Sequence, residues 1–210
     1  AADGTQLNGY LAEPAGDGPF PAVLLIHEWW GLNQDITEIA DELAAEGYVV
    51  LAPDALRGQL TDQIARAIAI NSSTPQEQVD SDLDDALAYL MSIPIVDPSR
   101  VAAWGFCFGG RNAFYLGTRH PDLAAVVDFY GGGVDVSGPD DLGAMTGPFL
   151  GICGETDASI PLEEVDALEA ALVEAGITHE ITVYPGVGHA FLNSENLTNT
   201  NEPAGQAWTH

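Results

Sequence analysis

Gly105-Phe106-Cys107-Phe108-Gly109 sets a thiol between two glycines, after the apolar, β-prone run Val101 to Trp104 and before the helix-compatible run Gly110 to Arg119. A strand, a sharp turn and a helix with a reactive residue at the tip make a nucleophile elbow. Side chains at Gly105 or Gly109 would collide inside such a reversal, and their absence lets the middle residue take a strained conformation. The helix N-terminus beneath the sulfur lowers the cost of a thiolate and offers free N–H donors. The competing assignment for a lone cysteine is a packed core thiol. That assignment is the one expected of Cys153, which ends the apolar run Phe149-Leu150-Gly151-Ile152.

A cysteine is mostly protonated at neutral pH, so it needs a base within hydrogen-bond reach and an acid to orient that base. His189 lies in Gly186-Val187-Gly188-His189-Ala190-Phe191, a loop right after the strand-like Glu180 to Tyr184. His120 precedes Pro121 at a helix end, where it suits the helix dipole. His179 stands at a strand entrance and His210 at the chain end. The acid belongs after the preceding strand, in Gly154-Glu155-Thr156-Asp157. Asp157 is the expected acid and Glu155 a solvated alternative. Asp128, inside Val126-Val127-Asp128-Phe129, sits within a strand rather than past its end. Nucleophile, acid, histidine is the chain order of an α/β-hydrolase.

Acyl transfer also needs donors for a developing oxyanion. The backbone N–H of Phe108 is one expected donor. The N–H of Trp29, in His27-Glu28-Trp29-Trp30-Gly31, is the other. Glu28, a carboxylate at a strand end among aromatic residues, can hold a thiol protonated or take its proton; otherwise it is a solvated loop acid. Arg111, just after the elbow, is expected to be structural, paired with a neighbouring acid.

These residues require an alternating scaffold. Val23 to Ile26 is a continuous apolar run, as in a strand buried on both faces. Ile36, Ile39, Ala40, Leu43 and Ala44 recur at helical spacing, with Gly47 as a C-terminal stop. Tyr48 to Ala52 predicts a strand, and Ile64, Ala65, Ile68 and Ala69 a short helix. Thr74-Pro75-Gln76-Glu77 has the form of a capping box, opening a helix with the stripe Val79, Leu83, Ala86, Leu87 and Leu90. Further strands are expected at Val101–Trp104, Ala124–Tyr130, Phe149–Cys153 and Glu180–Tyr184, with a helix carrying Val165, Leu168 and Leu172. The alternation predicts one α/β domain over residues 1–210: a mostly parallel sheet with helices on both faces, and active groups beyond the carboxyl ends of strands. Gln6 to Glu13 forms a strand after the turn signal Asp3-Gly4, and Glu202-Pro203-Ala204 starts a helix. A strand before Ala1 and a helix running past His210 are expected in the natural protein.

The 210 residues carry 32 acidic and 5 basic side chains, a net charge of −27, and no lysine. Such a surface repels nucleic acid and anionic lipid, which excludes both as partners. Adaptation to high salt is expected, because molar salt shrinks the Debye length to roughly 3 Å and relieves the self-repulsion. Two cysteines, Cys107 and Cys153, make no disulfide framework and suit a reducing cytoplasm. No run has the length of a membrane span.

Taken together, the chain resembles the dienelactone hydrolase family, the cysteine-using branch of the α/β-hydrolases. The resemblance rests on His27-Glu28-Trp29-Trp30-Gly31, Ala52-Pro53-Asp54, Gly105 to Gly110, Tyr130-Gly131, Gly154 to Asp157 and Gly188 to Phe191. It implies a Cys107/His189/Asp157 triad, with Glu28 touching the resting thiol until substrate displaces it. It implies hydrolysis of a lactone or activated ester through an acyl-cysteine, with no metal or cofactor; a monomer or small homo-oligomer is expected. In members acting on dienelactone, arginines bind the substrate carboxylate, one of them four residues past the histidine. Here that position is Asn193; Arg66, on the short helix over the pocket, matches the other at a loose spacing. Arg66, Asn193 and Trp30 are the expected substrate contacts. Losing a bidentate cation costs about 1.5–3 kcal/mol of carboxylate affinity, so a neutral ester or lactone is as acceptable as dienelactone. A catalytically silent binding protein and a thiol redox sensor on Cys107 are the alternatives.

Overall fold

Val23, Leu24, Leu25 and Ile26 lie almost wholly out of water, and their alternation explains the layers. Ala22, Leu24 and Ile26 face one apolar cluster, and Val23 and Leu25 face the other. A strand with both faces covered has no polar side, which is why the run reads as unbroken hydrophobic sequence. The computed structural model describes residues 1, 3–134, 136, 138–193 and 201–208.

The strands are β1 (Gly9–Ala12), β2 (Phe20–Ile26), β3 (Val49–Pro53), β4 (Val96–Phe106), β5 (Ala125–Phe129), β6 (Phe149–Gly154) and β7 (His179–Tyr184). They form a sheet in the order β1-β3-β2-β4-β5-β6-β7. Only β1, shorter than the expected Gln6 to Glu13, runs antiparallel to its neighbour. The helices are α1 (Gln34–Ala45), α2 (Ile64–Ser73), α3 (Gln76–Ser92), α4 (Phe108–Arg119), α5 (Leu162–Ala175) and α6 (Pro203–Trp208). Through Ile36, Ala40, Ala44, Ala204 and Ala207, α1 and α6 cover the Val23/Leu25 face. The opposite face is covered by α3 and α4, with Leu168, Ala171 and Leu172 of α5. This is the α/β-hydrolase architecture the sequence predicts. No helix among the described residues is long and apolar enough to cross a membrane.

Two local expectations are corrected. Thr74 does not cap α3: its hydroxyl donates to the Ile70 carbonyl at 2.9 Å, and Pro75 is the N-cap without a side-chain bond. Only Thr74 and Pro75 separate α2 from α3, so the hydroxyl closes the helix behind it instead of opening the one ahead. Helix α2 exists, but its buried residues are Ala67 and Ile70, while Ile64 and Ile68 are exposed. The stop at Gly47 is as expected: φ is +98°, and its N–H and that of Tyr48 bond back to Ala44 and Leu43.

The elbow is the tightest point of the fold. Cys107 has φ 55° and ψ −113° between the end of β4 and the start of α4, a region that side chains other than glycine enter only under constraint. The constraint is backbone packing. A Cβ on Gly105 would meet the backbone of Gly109, and a Cβ on Gly109 would meet the carbonyl of Ile26 at the end of β2. The Cys107 N–H is held by the Phe129 carbonyl at 2.8 Å. Gly109→Ala therefore drives a methyl into main chain that cannot step aside, at a cost of about 2 kcal/mol or more. Thermal unfolding should show a melting temperature lower by roughly 4–8 °C; an unchanged value would remove this contact from the account.

Candidate active site

Parallel strands put their carboxyl ends on one edge of the sheet, and four loops there carry the reactive groups. Glu28 follows β2, Cys107 follows β4, Asp157 follows β6 and His189 follows β7. The His189 Nε2 lies 3.0 Å from the Cys107 Sγ, and its Nδ1 lies 2.7 Å from the Asp157 Oδ2. The Asp157 side chain is fully buried, and its Oδ1 accepts the Ser159 N–H at 2.7 Å. An acceptor-only carboxylate on Nδ1 fixes the tautomer: Nδ1 carries the proton and Nε2 presents a lone pair to the thiol. The Tyr130 ring packs edge-on against the imidazole, 5.5 Å between centroids.

The alternatives for the acid are placed elsewhere. Glu155 is exposed and accepts the Gly186 N–H at 2.8 Å, so it ties down the loop leading to His189. Asp128 is buried and accepts the Gly131 N–H at 2.7 Å, and burial raises it to about 8. His120 sits at the end of α4, 2.9 Å from Asp84; His210 lies outside the described residues. Cys153 packs against the apolar cluster of the Val23/Leu25 face, its thiol pushed up to about 12 by burial.

His27, fully buried, organises the loop after β2. The Ala55 N–H donates to its Nε2 at 3.2 Å, which leaves the proton on Nδ1, and Nδ1 donates to the Glu28 carbonyl at 2.6 Å. Burial keeps the imidazole neutral. That carbonyl belongs to the same peptide unit as the Trp29 N–H, so one side chain fixes the direction of this donor. The His27 ring also stacks on Phe108 at 5.9 Å, and the Phe108 N–H bears on the Cys107 sulfur.

Cys107 lies in a cleft of about 380 Å³ lined by Trp29, Phe108, His189, Asn71, Arg111, Gly132, Gly133, Ser159 and Ile160. Glu28, Trp30 and Asn193 line a second hollow of about 570 Å³ together with Asn33, Asp35 and Asp62. Glu28 is buried, and its carboxylate is bonded by the Asn193 amide at 3.1 and 3.4 Å. No hydrogen bond joins it to the thiol; its influence on Cys107 is through charge. Burial raises the Glu28 carboxyl, with the Asn193 bond and the His189 charge opposing.

Arg66 lies apart from both hollows. It is exposed on α2, whose inward face is set by Ala67 and Ile70. Asn71, one turn after Ala67, faces the cleft instead and donates to the carbonyls of Trp29 (3.0 Å) and Ala67 (2.8 Å). The i, i+4 spacing from Ala67 was the available signal. Arg111 is the second correction: no described acid pairs with it, and it lines the cleft. Among the described residues no cluster of His, Cys, Asp or Glu is placed to hold a metal ion.

The sheet order, the elbow and the groups at its carboxyl edge define an α/β-hydrolase. Within that class the chain belongs to the dienelactone hydrolase family, whose profile matches residues 7–210. It is similar to a provisionally named carboxymethylenebutenolidase of a Synechocystis species, 32% identical over 97% of this chain and 88% of that protein. A relative from Methylorubrum extorquens with the same provisional name is 35% identical over 95% of this chain and 72% of its own length. A crystal structure titled as a provisional dienelactone hydrolase of Klebsiella pneumoniae subsp. pneumoniae superposes with a TM-score of 0.83 at 30% identity, covering 98% of this chain and 91% of that one. The chain is a hydrolase of this type.

The resting thiol is the distinctive electrostatic feature. Burial, then the charges of Glu28 and Asp157, push Cys107 up to about 12, against the Phe108 N–H and Arg111. A raised thiol is protonated below its midpoint, so alkylation by iodoacetamide should keep climbing with pH past the ordinary thiol range instead of levelling there. Glu28→Gln removes a charge that opposes the thiolate and should speed alkylation at pH 8 by roughly three- to tenfold, a shift of up to about one pKa unit. A rate equal to the parent's would sever Glu28 from the thiol.

Proposed function

We propose that this chain hydrolyses a carboxylic ester or lactone through an acyl-cysteine intermediate, with Cys107, His189 and Asp157 as its triad. The observation that carries the reading is the unbroken relay of 3.0 Å from Sγ to Nε2 and 2.7 Å from Nδ1 to Asp157. As Sγ attacks the carbonyl carbon, Nε2 takes the thiol proton, the C–S bond forms and the carbonyl π pair moves to oxygen. The N–H groups of Phe108 and Trp29 receive that oxyanion. Collapse expels the alkoxide, which takes the proton back from His189, and leaves a thioester on Cys107. Water then attacks the thioester as His189 takes its proton, and the carboxylic acid departs as the thiol is re-formed. Asp157 steadies the imidazolium formed in both halves.

The raised thiol makes the proton transfer part of the attack. With its thiol raised to about 12, Cys107 has almost no thiolate to offer before substrate arrives. Glu28 restrains the sulfur by charge, and the hollow it lines with Trp30 and Asn193 is the proposed seat of a larger acyl or alcohol portion. Cys107→Ala should abolish turnover of p-nitrophenyl acetate, and His189→Ala should lower kcat/KM by about 10³-fold or more. Full activity in Cys107→Ala would refute the assignment, and sulfenic acid formation without esterase activity would point to a redox role.

We also propose that the protein works in concentrated salt. Three of its five arginines are committed to acid partners: Arg57 to Asp82 and Asp3, Arg100 to Asp97, and Arg119 to Asp80 and Asp84. With all five arginines counted against the 32 acids, a net charge of −27 remains uncompensated. The melting temperature should rise steadily from dilute buffer to molar KCl; a flat profile excludes the adaptation.

A further inference from the structure

Of the five arginines, Arg111 is the one that lines the Cys107 cleft. Among the described residues no group accepts a hydrogen bond from its side chain, and its Nε is buried without a partner. Arg66 also has no described acid partner, but it is exposed on α2, whereas Arg111 is half-buried in the wall of the cleft. Buried polar groups are ordinarily satisfied, so an arginine without a partner in the wall of the Cys107 cleft asks for an explanation. The nearby main chain does not supply a partner. Gly131, Gly132 and Gly133 bring no side chain to cap the guanidinium, and Gly133 comes close enough that an added Cβ would lie 3.6 Å from Arg111 Nη1. Of the described acids that reach this loop, Asp128 accepts from the Gly131 N–H (2.7 Å) and Glu164 from the N–H groups of Gly133 (2.6 Å) and Val134 (3.2 Å).

We propose that Arg111 is the anion-binding residue of the cleft, so that the preferred substrate is an ester or lactone bearing a carboxylate. This deepens the hydrolase reading and rests on it. The subsite lies on the α4 wall, one helical turn from the nucleophile, and not on α2 or the loop after β7, where Arg66 and Asn193 stand. Position decides the shape of the ligand: its carboxylate must lie close along the chain to the carbonyl that Cys107 attacks. A guanidinium suits this task because its planar donors match a carboxylate and it stays charged.

The test compares kcat/KM for p-nitrophenyl hemisuccinate and p-nitrophenyl butyrate at one ionic strength, in the parent, Arg111→Met and Arg111→Lys. Arg111 also favours the thiolate through charge, an effect on the chemical step, so the subsite is read from the KM of the anionic ester and from succinate binding. The anionic-to-neutral ratio should fall roughly 10- to 100-fold in Arg111→Met, chiefly through KM of the anionic ester, and Arg111→Lys should recover part of it. A ratio unmoved by either substitution overturns the proposal while leaving the hydrolase reading intact. Binding is read separately by titrating succinate against the tryptophan fluorescence of Cys107→Ala, with and without Arg111→Met. If neither ester turns over but succinate binds and the second substitution weakens it, the hydrolase reading falls and the anion site stands. If succinate binds equally to both, the anion site falls.

Discussion

Backbone contact between Gly109 and the end of β2 is the constraint on which the site depends. With no side chain at Gly105 or Gly109, the end of β4, the start of α4 and the Ile26 carbonyl occupy space that would otherwise be shared with methyl groups. The chain can then reverse within one residue, and Cys107 accepts the strained φ of 55° that lifts its sulfur off the sheet edge. The same reversal starts α4 directly beneath the sulfur, so that the Phe108 N–H faces it. A looser turn would cost the chemistry as well as the fold, because the sulfur, the donor and the imidazole keep their distances only while the turn stays tight.

His27 transmits that order to the neighbouring loop. Its two ring nitrogens are both engaged, one by Ala55 and one by the Glu28 carbonyl, and burial keeps the ring neutral. A charged ring could not accept from Ala55, and the opposite tautomer would set two acceptors against each other at the Glu28 carbonyl. One protonation state therefore satisfies the whole arrangement, and it directs the peptide that carries the Trp29 N–H. Because the ring also stacks on Phe108, a single buried side chain spans the segments that carry the two proposed oxyanion donors.

What the sequence made legible was whatever is governed by local pattern. Continuous apolar runs marked β2, β4 and β6, the Val79 to Leu90 stripe marked the buried face of α3, and the glycines marked the elbow. Distance beyond the strand separates Asp157 from Glu155 in the sequence, and in the structure Asp157 lies on His189 while Glu155 accepts from Gly186. Properties set by distant partners were not legible. Thr74 bonds backward because the linker to α3 is so short, and Arg57 meets Asp82 across 25 residues. Arg111 shows the limit most clearly. In a chain so acidic an ion pair is the natural expectation for any arginine, and only the assembled walls show that no described acid comes to meet it.

Asn193 has a consequence beyond substrate contact. A cation at that position would stabilise the ionised form of Glu28, whereas a neutral amide supplies only two long hydrogen bonds, at 3.1 and 3.4 Å. Burial therefore governs Glu28 and raises its carboxyl. The charges of Glu28 and the Cys107 thiolate oppose one another, so protonating the first eases ionisation of the second. With asparagine in place, Glu28 gives up its charge more readily, and the sulfur then faces only burial and Asp157, against Phe108 and Arg111. A ligand anion seated on Arg111 would weaken one of those two supports. Proton transfer to His189 would then depend more heavily on the Phe108 donor and on the tightness of the turn that aims it.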